Sequence, residues 1–217
     1  MAVSYTHLDV YKRQGYDSIL CCTGNSLETK RQYFDLLRSK KVDAIILAGS
    51  KFIEQKAKDN SYIVEASGEI PVMLVNGYLE GENIYCTLCD DRMATHQATS
   101  QLIASGCRRI LYLFTSQSYS GTNKMKGYRD ALSGHGLPVR EEYIRQCPKD
   151  VLAARDLLLA LHESGLDFDA VLTSDDTLAV GTVKYAHITG RSIPDNLSIV
   201  GFNLSLIHIF RPPGTPP

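Results

Sequence analysis

Short apolar runs alternate with segments of helical periodicity along most of this chain. Runs rich in β-branched residues are typical of strands in a parallel sheet, and apolar residues three and four positions apart are typical of helices packed on it. The pattern predicts strands over residues 16–22, 42–47, 71–75, 84–89, 109–114, 143–146, 170–172 and 197–202. It predicts helices beginning at Ser26 and at Leu178, and over residues 53–66, 93–105, 125–132 and 151–162.

The most regular unit covers residues 170–203. An apolar strand leads to Asp175, a helix follows until Gly190, and a second apolar strand ends at Asn203. A strand–helix–strand crossover makes the two strands parallel, and ligands of such sheets gather at the carboxyl ends of the strands. Asp175 and Asn203 are therefore candidate ligand contacts.

Two blocks of alternating strands and helices meet near the strand predicted over residues 84–89. This order predicts an α/β protein with mostly parallel, doubly wound sheets in two lobes and a cleft between them. The continuous apolar run over residues 42–47 predicts a strand that is buried on both faces.

Four polar residues each follow a predicted strand: Asn76, Asp90, Asp175 and Asn203. Asp and Asn are also common in turns and at helix N-termini, so each of them taken alone is better explained by capping than by ligand contact. As a set at successive strand ends, they favour a polar cleft that binds hydroxylated ligands.

A loop rich in Ser, Gly and Asn is predicted over residues 116–123, before a helix. Its hydroxyls and amides, with Lys124, suit an anion or a sugar, although a plain solvated loop explains them equally well. The phosphate-binding order G-x-x-x-x-G-K-[ST] is absent, as is G-x-G-x-x-G.

Cys86 and Cys89 have the spacing of a zinc half-site or a redox pair. A second half-site is missing, and positions i and i+3 of a strand face opposite sides. We therefore expect both to be small buried residues.

Composition narrows the class of protein. The 217 residues are 44% hydrophobic and 22% charged, which is ordinary for a soluble globular protein. A net charge of −1 gives no electrostatic reason for this chain to bind nucleic acid. Neither a run of about 20 apolar residues nor the apolar core of a signal peptide occurs. We therefore expect a cytoplasmic protein with six reduced cysteines.

The two ends do not continue the pattern. Residues 1–14 and 206–217 resemble translated sequencing-adapter segments that recur at the ends of metagenomic gene predictions. We interpret both as non-native, leaving an N-terminal lobe over residues 15–86 and a C-terminal lobe over residues 87–205.

Several segments between the ends resemble the effector-binding core of the LacI/GalR (lactose-repressor) family of bacterial transcription regulators. The resemblance covers about residues 15–205, and its most specific part is the final pair of segments. The matching segments are KKVDAIILAGS (40–50), IPVMLVN (70–76), DDRMA (90–94), SGCRRILYL (105–113), KGYRDAL (126–132), AVLTSDDTLAVG (170–181) and RSIPDNLSIVGFN (191–203).

The resemblance implies the two-lobed fold of type I periplasmic binding proteins. It implies a small-molecule effector, a sugar or related hydroxylated metabolite, with no cofactor, metal or catalytic residue. Operator DNA is then bound through a separate helix-turn-helix, by a homodimer. The positions that match the family's effector contacts are Asn76, Asp90, Ser120, Lys124, Asp175 and Asn203.

Three residues depart from the family pattern. Lys124 stands where Arg is usual and offers a point charge instead of a planar fork. Asn203 stands where Asp is common, and Cys107 where the family has His. The first two departures leave the identity of the effector open.

The family's helix-turn-helix, hinge helix and first core strand and helix have no counterpart in this sequence, nor do the segments that close both lobes after Asn203. Without a central first strand, strands 16–22 and 42–47 would have unpaired edges. We therefore expect the polypeptide as written to be poorly stable or prone to aggregation.

Two other functions fit the same fold class. A periplasmic sugar-binding protein of an uptake system would carry a signal peptide upstream. A cytosolic sugar-processing enzyme would use Asp90 or Asp175 as an acid or base, beside a second carboxylate at catalytic distance.

Overall fold

The computed structural model describes residues 15–203, which contain seven strands in two parallel sheets, six α-helices and three short 3-10 helices. Residues 1–14 and 206–217, predicted to be non-native, lie outside the described residues. The helices are α1 (Leu27–Ser39), α2 (Ser61–Ser67), α3 (Asp91–Ala104), α4 (Tyr119–Gly134), α5 (Val151–Glu163) and α6 (Asp176–Ile188). The strands are β1 (Ile45–Ala48), β2 (Val72–Val75), β3 (Ile84–Thr87), β4 (Ile110–Phe114), β5 (Ile144–Gln146), β6 (Ala170–Thr173) and β7 (Ser198–Val200).

The first sheet has the order β1-β2-β3 and buries only one of its faces. On that face, Ile45 and Leu47 pack with Phe34 of α1 and Ile63 of α2. The alternate residues of β1 point to the opposite face of the sheet, where Ile46 is 63% exposed. The prediction that residues 42–47 are buried on both faces is therefore wrong.

The strand predicted over residues 16–22 is absent from the structure: residues 16–23 form neither helix nor strand. Tyr16, Ile19 and Leu20 are each more than half exposed. A strand is stable only when its amide and carbonyl groups pair with a neighbour, and no strand within residues 15–203 lies beside this segment. Its apolar pattern alone therefore does not produce a strand.

The second sheet has the order β5-β4-β6-β7 and is covered on both faces. On one face, Leu111 and Leu113 of β4 belong to the hydrophobic cluster covered by α5 and α6. On the other face, Tyr112 and Phe114 belong to the hydrophobic cluster covered by α3 and α4. This alternation is the doubly wound arrangement expected of a continuous apolar run.

Local chemistry changes two predicted elements. Residues 119–123, predicted as loop, are the first turns of α4, because the Ser118 hydroxyl caps the helix by accepting from the Gly121 amide at 3.2 Å. The helix predicted over residues 53–66 begins only at Ser61. The Asn60 side chain binds the backbone of Glu54, with Asn60 Oδ1 accepting from its amide at 2.8 Å, and holds the preceding segment in a turn.

The cysteines differ from expectation at one position. Cys86 is half-buried, but Cys89 is exposed, so the prediction that both are buried is wrong for Cys89. Strand β3 ends at Thr87, which leaves Cys89 in the turn before α3. All six cysteines are free thiols.

Candidate functional site

Helix α4 presents Ser120 and Lys124 one turn apart, and both residues are buried, with 5% and 6% exposure. Because Ser118 starts the helix earlier than the loop composition suggests, these two residues lie on a rigid element. A buried lysine is unusual unless partners compensate the loss of hydration.

Lys124 has three kinds of partner. Its Nζ donates to the Ser174 carbonyl oxygen at 3.1 Å and lies 4.0 Å from Oδ1 of Asp91. The Phe202 ring centre lies 3.6 Å from Nζ, which is a close cation–π contact. Burial lowers the pKa of the Lys124 ammonium, and the carboxylates of Asp91 and Asp175 act in the opposite direction. The ammonium group of Lys124 is thus held by residues that follow β6 and β7 and by Asp91 of α3.

Asp175 is the N-cap of α6. Its Oδ1 accepts from the Thr177 amide at 2.9 Å, and its Oδ2 lies 2.6 Å from Nζ of Lys149. Burial raises the pKa of this carboxyl, but the hydrogen bonds from Lys149 and Thr177 outweigh burial, so that the net pKa is lowered. Asp175 is therefore a fixed carboxylate acceptor.

Asn76 follows β2 with a positive φ of 62°, a conformation that Asn tolerates better than most residues. Its amide donates to the Thr87 carbonyl oxygen at 2.8 Å. Its side-chain Oδ1 is buried and has no hydrogen-bond partner within residues 15–203. Such an acceptor costs free energy unless a donor from a ligand or from water reaches it.

Asp90 and Asn203 are the exposed members of the predicted set. Asp90 caps α3 by accepting from the Met93 amide at 2.9 Å. Asn203 follows β7 with a φ of 90°. For both aspartates of the set the capping interpretation is confirmed, but a carboxylate that caps a helix keeps further lone pairs for a ligand.

Two hydrogen bonds join the carboxyl-end loops of the two sheets. Ser50, just after β1, donates from its hydroxyl to that of Ser118 at 3.0 Å, and the Gln55 side chain donates to the Gln117 carbonyl oxygen at 3.1 Å. The loop after β4 therefore lies beside the loop after β1. Polar strand ends of both sheets border the same region.

The predicted site residues are only partly in contact with one another. Lys124 and Asp175 interact electrostatically, and Ser120 lies on the same helix as Lys124. In the part of the chain that the structure describes, no hydrogen bond or ion pair joins Lys124 to Asn76, Asp90 or Asn203.

The sequence pattern did not single out Asp91 and Asp176 as members of the site. Each is the second residue of an Asp-Asp pair, and each is 3% exposed. Oδ2 of Asp91 is buried without a hydrogen-bond partner among residues 15–203. A Cβ on Gly201 would lie 2.5 Å from Oδ1 of Asp176, so the chain after β7 needs glycine there. The Asp-Asp pair, which occurs twice in the sequence, was the signal that could have identified these two residues. In each pair the first aspartate caps a helix and the second faces the protein interior.

Residues 15–203 contain no group of three or more His, Cys, Asp or Glu side chains arranged to hold a metal ion. Over the same residues, no helix combines the length and apolarity that crossing a membrane requires.

Comparison with known proteins gives a family match over most of the chain. The profile for periplasmic binding proteins and the sugar-binding domain of the LacI family matches residues 9–206. An HTH-type transcriptional regulator of Lachnoclostridium phytofermentans is 50% identical over 196 residues, covering 90% of this chain and 59% of that protein. The regulator AscG of Escherichia coli is 28% identical, covering 88% of this chain and 56% of AscG. The chain thus spans well under two thirds of the length of these relatives.

Solved structures agree with the sequence matches. A sugar-binding transcriptional regulator of the LacI family from Escherichia coli, crystallised with phosphate, superposes with a TM-score of 0.81 at 25% identity, covering 94% of this chain and 73% of that one. The Escherichia coli repressor AscG superposes with a TM-score of 0.77 at 25% identity, covering 94% of this chain and 73% of that one. The chain therefore belongs to the family of periplasmic binding proteins and LacI-type sugar-binding domains.

Proposed function

We propose that this chain is the effector-binding core of a bacterial transcription regulator, and that it binds a small hydroxylated molecule, a sugar or a related metabolite. The six contacts are Asn76, Asp90, Ser120, Lys124, Asp175 and Asn203. In this proposal, residues 15–86 and 87–205 form two lobes, and the effector lies between them. The intact protein is a homodimer that binds operator DNA through a helix-turn-helix.

The observation that carries the proposal is the buried, fixed ammonium of Lys124 near the fixed carboxylate of Asp175. Each is held by the protein, so neither must reorganise when a ligand arrives. A sugar hydroxyl both donates and accepts, so it can bridge a carboxylate and an ammonium at once. The unpartnered Oδ1 of Asn76 offers a further acceptor from the first sheet.

The charges around the site favour a neutral ligand. Asp91, Asp175 and Asp176 act on Lys124, and Lys149 is already paired with Asp175. Negative side chains thus outnumber the positive ones, so a phosphorylated ligand would meet repulsion. We expect a neutral polyhydroxyl compound to bind more tightly than an anionic one.

Acid catalysis by Asp175 is disfavoured. A general acid at neutral pH needs a raised pKa, whereas the hydrogen bonds of Asp175 hold its pKa below the ordinary value. A binding role for Asp175 fits this environment better.

Calorimetric titration of the folded chain with neutral mono- and disaccharides, including ribose and cellobiose, tests the proposal. Inorganic phosphate serves as the anionic comparison. We expect saturable binding of at least one neutral sugar, weakened at least about tenfold by Lys124→Met because a buried charge-assisted hydrogen bond contributes about 1.5–3 kcal/mol. Lys126→Met, at an exposed position of the same helix, is the matched control. Equal affinities of both variants would contradict the assigned site.

The regulatory part of the proposal is tested in the intact regulator. Lys124→Ala there should keep operator affinity while abolishing the response to the effector. An unchanged response would exclude Lys124 from the effector site.

A further inference from the structure

The second sheet borders a cavity of about 400 Å³ at the amino end of β4, which is the end farther from Lys124. Arg108, Arg109 and Ile110 line it at the amino end of β4. Lys124, by contrast, bonds to Ser174, just beyond the carboxyl end of β6, which runs parallel to β4. The cavity is therefore separate from the proposed effector site.

Part of the cavity lining is apolar. Leu132 of α4 and the loop residues Leu137 and Pro138 line it together with Ile110. A volume of this size is within the range of small-molecule sites, which bury most of the ligand against apolar side chains. The body of a fitting ligand is therefore hydrophobic.

The lining also contains three arginines, Arg108, Arg109 and Arg140, and no acidic residue from the described part of the chain. In a chain of net charge −1, this is a locally positive surface. Arg109 pairs with Asp167 and Asp169, and so its charge is partly neutralised from outside the cavity.

The three arginines differ in what they already bind. Arg108 donates from Nη1 to the carbonyl oxygens of Ile103 and Cys107, at 2.7 and 2.8 Å. The Arg140 side chain makes no hydrogen bond or ion pair with any residue between 15 and 203, although its backbone carbonyl oxygen accepts from the Tyr143 amide at 3.1 Å. Its planar guanidinium is the donor available to a carboxylate or phosphate, which it can bind through two parallel hydrogen bonds.

Two tyrosines complete the lining, and their hydroxyls are already used. Tyr128 donates to the Ile110 carbonyl oxygen at 2.8 Å, and Tyr143 donates to the Asp167 carbonyl oxygen at 2.7 Å. Burial raises the pKa of Tyr143, and Arg140 and Arg109 lower it. Both guanidinium groups thus lie close enough to act on the same hydroxyl.

We propose that this cavity binds an amphipathic organic anion, with its apolar body against Leu132, Leu137 and Pro138 and its carboxylate or phosphate on Arg140. The proposal is independent of the effector assigned to the Lys124 site. Helix α4 contributes to both places, since Lys124 and Leu132 are two turns apart on it.

Amide NMR titration of the full chain tests the proposal with octanoate and octyl phosphate as probes. We expect saturable shifts concentrated in residues 108–110 and 128–143. Acetate, which lacks the apolar body, and 1-octanol, which lacks the charge, should each bind at least about tenfold more weakly. The tighter of the two anionic probes identifies the preferred head group.

Variants separate this site from non-specific binding. Arg140→Gln should weaken octanoate binding at least about fivefold without altering the rest of the spectrum, because the Arg140 side chain has no hydrogen-bond or ion-pair partner among residues 15–203. Leu137→Glu, which brings a negative charge to the cavity wall, should abolish binding. Arg92→Gln, an exposed arginine paired with Asp130, should leave binding unchanged. Octanoate binding that is equal in wild type and Arg140→Gln, or no saturable binding by wild type, would overturn the proposal.

Discussion

Oδ2 of Asp175 lies 2.6 Å from Nζ of Lys149, while Oδ1 of the same carboxylate caps helix α6. One carboxylate thus ties the loop before α5 to the end of β6. The same group is a proposed effector contact, so we expect its protonation to affect both stability and effector binding.

The first prediction concerns pH. The folded pKa of Asp175 is below its ordinary value of 3.8, so its stabilising contribution is present above about pH 4 and is lost as pH falls through the folded pKa. Since Lys149 is 63% exposed, we expect Asp175→Asn to lower the free energy of unfolding at pH 7 by only about 0.2–1 kcal/mol. Urea unfolding of the wild type and of Asp175→Asn at pH 7 and pH 3 measures this difference in the free energy of unfolding. A difference between the two proteins that does not shrink at pH 3 would contradict this assignment.

The second prediction concerns Lys124 and Asp91. Lys124→Met removes the cation nearest to a buried carboxylate whose Oδ2 already has no partner within the described residues. We expect a loss of about 1–3 kcal/mol, because an unpaired buried charge keeps its full desolvation cost. Adding Asp91→Asn should recover part of this loss. Chemical denaturation of the two single variants and the double variant measures the coupling, and strictly additive effects would argue against it.

The third prediction separates the two serines that join the sheets. Ser50→Ala removes only the 3.0 Å hydrogen bond to Ser118, whereas Ser118→Ala also removes the cap of α4. We expect a loss of about 0.5–1.5 kcal/mol for Ser50→Ala and a larger loss for Ser118→Ala. Hydrogen exchange should show faster exchange of the Gly121 amide in Ser118→Ala alone. The same exchange rate in both variants would count against the cap.

The fourth prediction compares two glycines of α4. A Cβ on Gly127 would overlap the Arg92 carbonyl oxygen of the neighbouring helix α3, whereas a Cβ on Gly134 meets nothing within 4 Å. We expect Gly127→Ala to destabilise the chain by about 1–3 kcal/mol through forced separation of the helices. Gly134→Ala is the matched control and should be neutral or stabilising by up to about 1 kcal/mol. Melting temperatures that change equally would contradict the close approach of α3 and α4.

The fifth prediction concerns the open face of the first sheet. Ile46 and Tyr85 are 63% and 54% exposed there. An exposed apolar sheet with an unpaired edge favours association between chains, which we expect for this polypeptide. Ile46→Lys should raise the concentration at which light scattering detects oligomers, with little change in stability. An unchanged onset would place the association surface elsewhere.

Much of the fold was predictable because its strands are continuous apolar runs. Strand β4 shows why: all five of its residues are buried, so the sequence needs no alternation and contains none. The segment over residues 16–22 has a similar pattern but no neighbour to pair with. Pairing is a property of the whole sheet, and local pattern does not encode it.

The candidate site was predictable where residues end strands and less so where a helix positions them. Asp90 and Asp175 follow apolar runs, so their place at the sheet edge could be inferred. Ser120 and Lys124 were expected from family resemblance and from a loop that is a helix in the structure. The buried role of Asp91 depends on the packing of α3 against α4, which no local pattern expresses.

The one-sided burial of β1 and β2 has a thermodynamic consequence. Apolar surface that is newly exposed on unfolding is what makes the heat capacity of unfolding positive. Strands with one open face expose less new apolar surface than β4 and β6, which are covered on both sides. The first sheet should therefore contribute less heat capacity per residue, and its stability should vary less steeply with temperature than that of the second sheet.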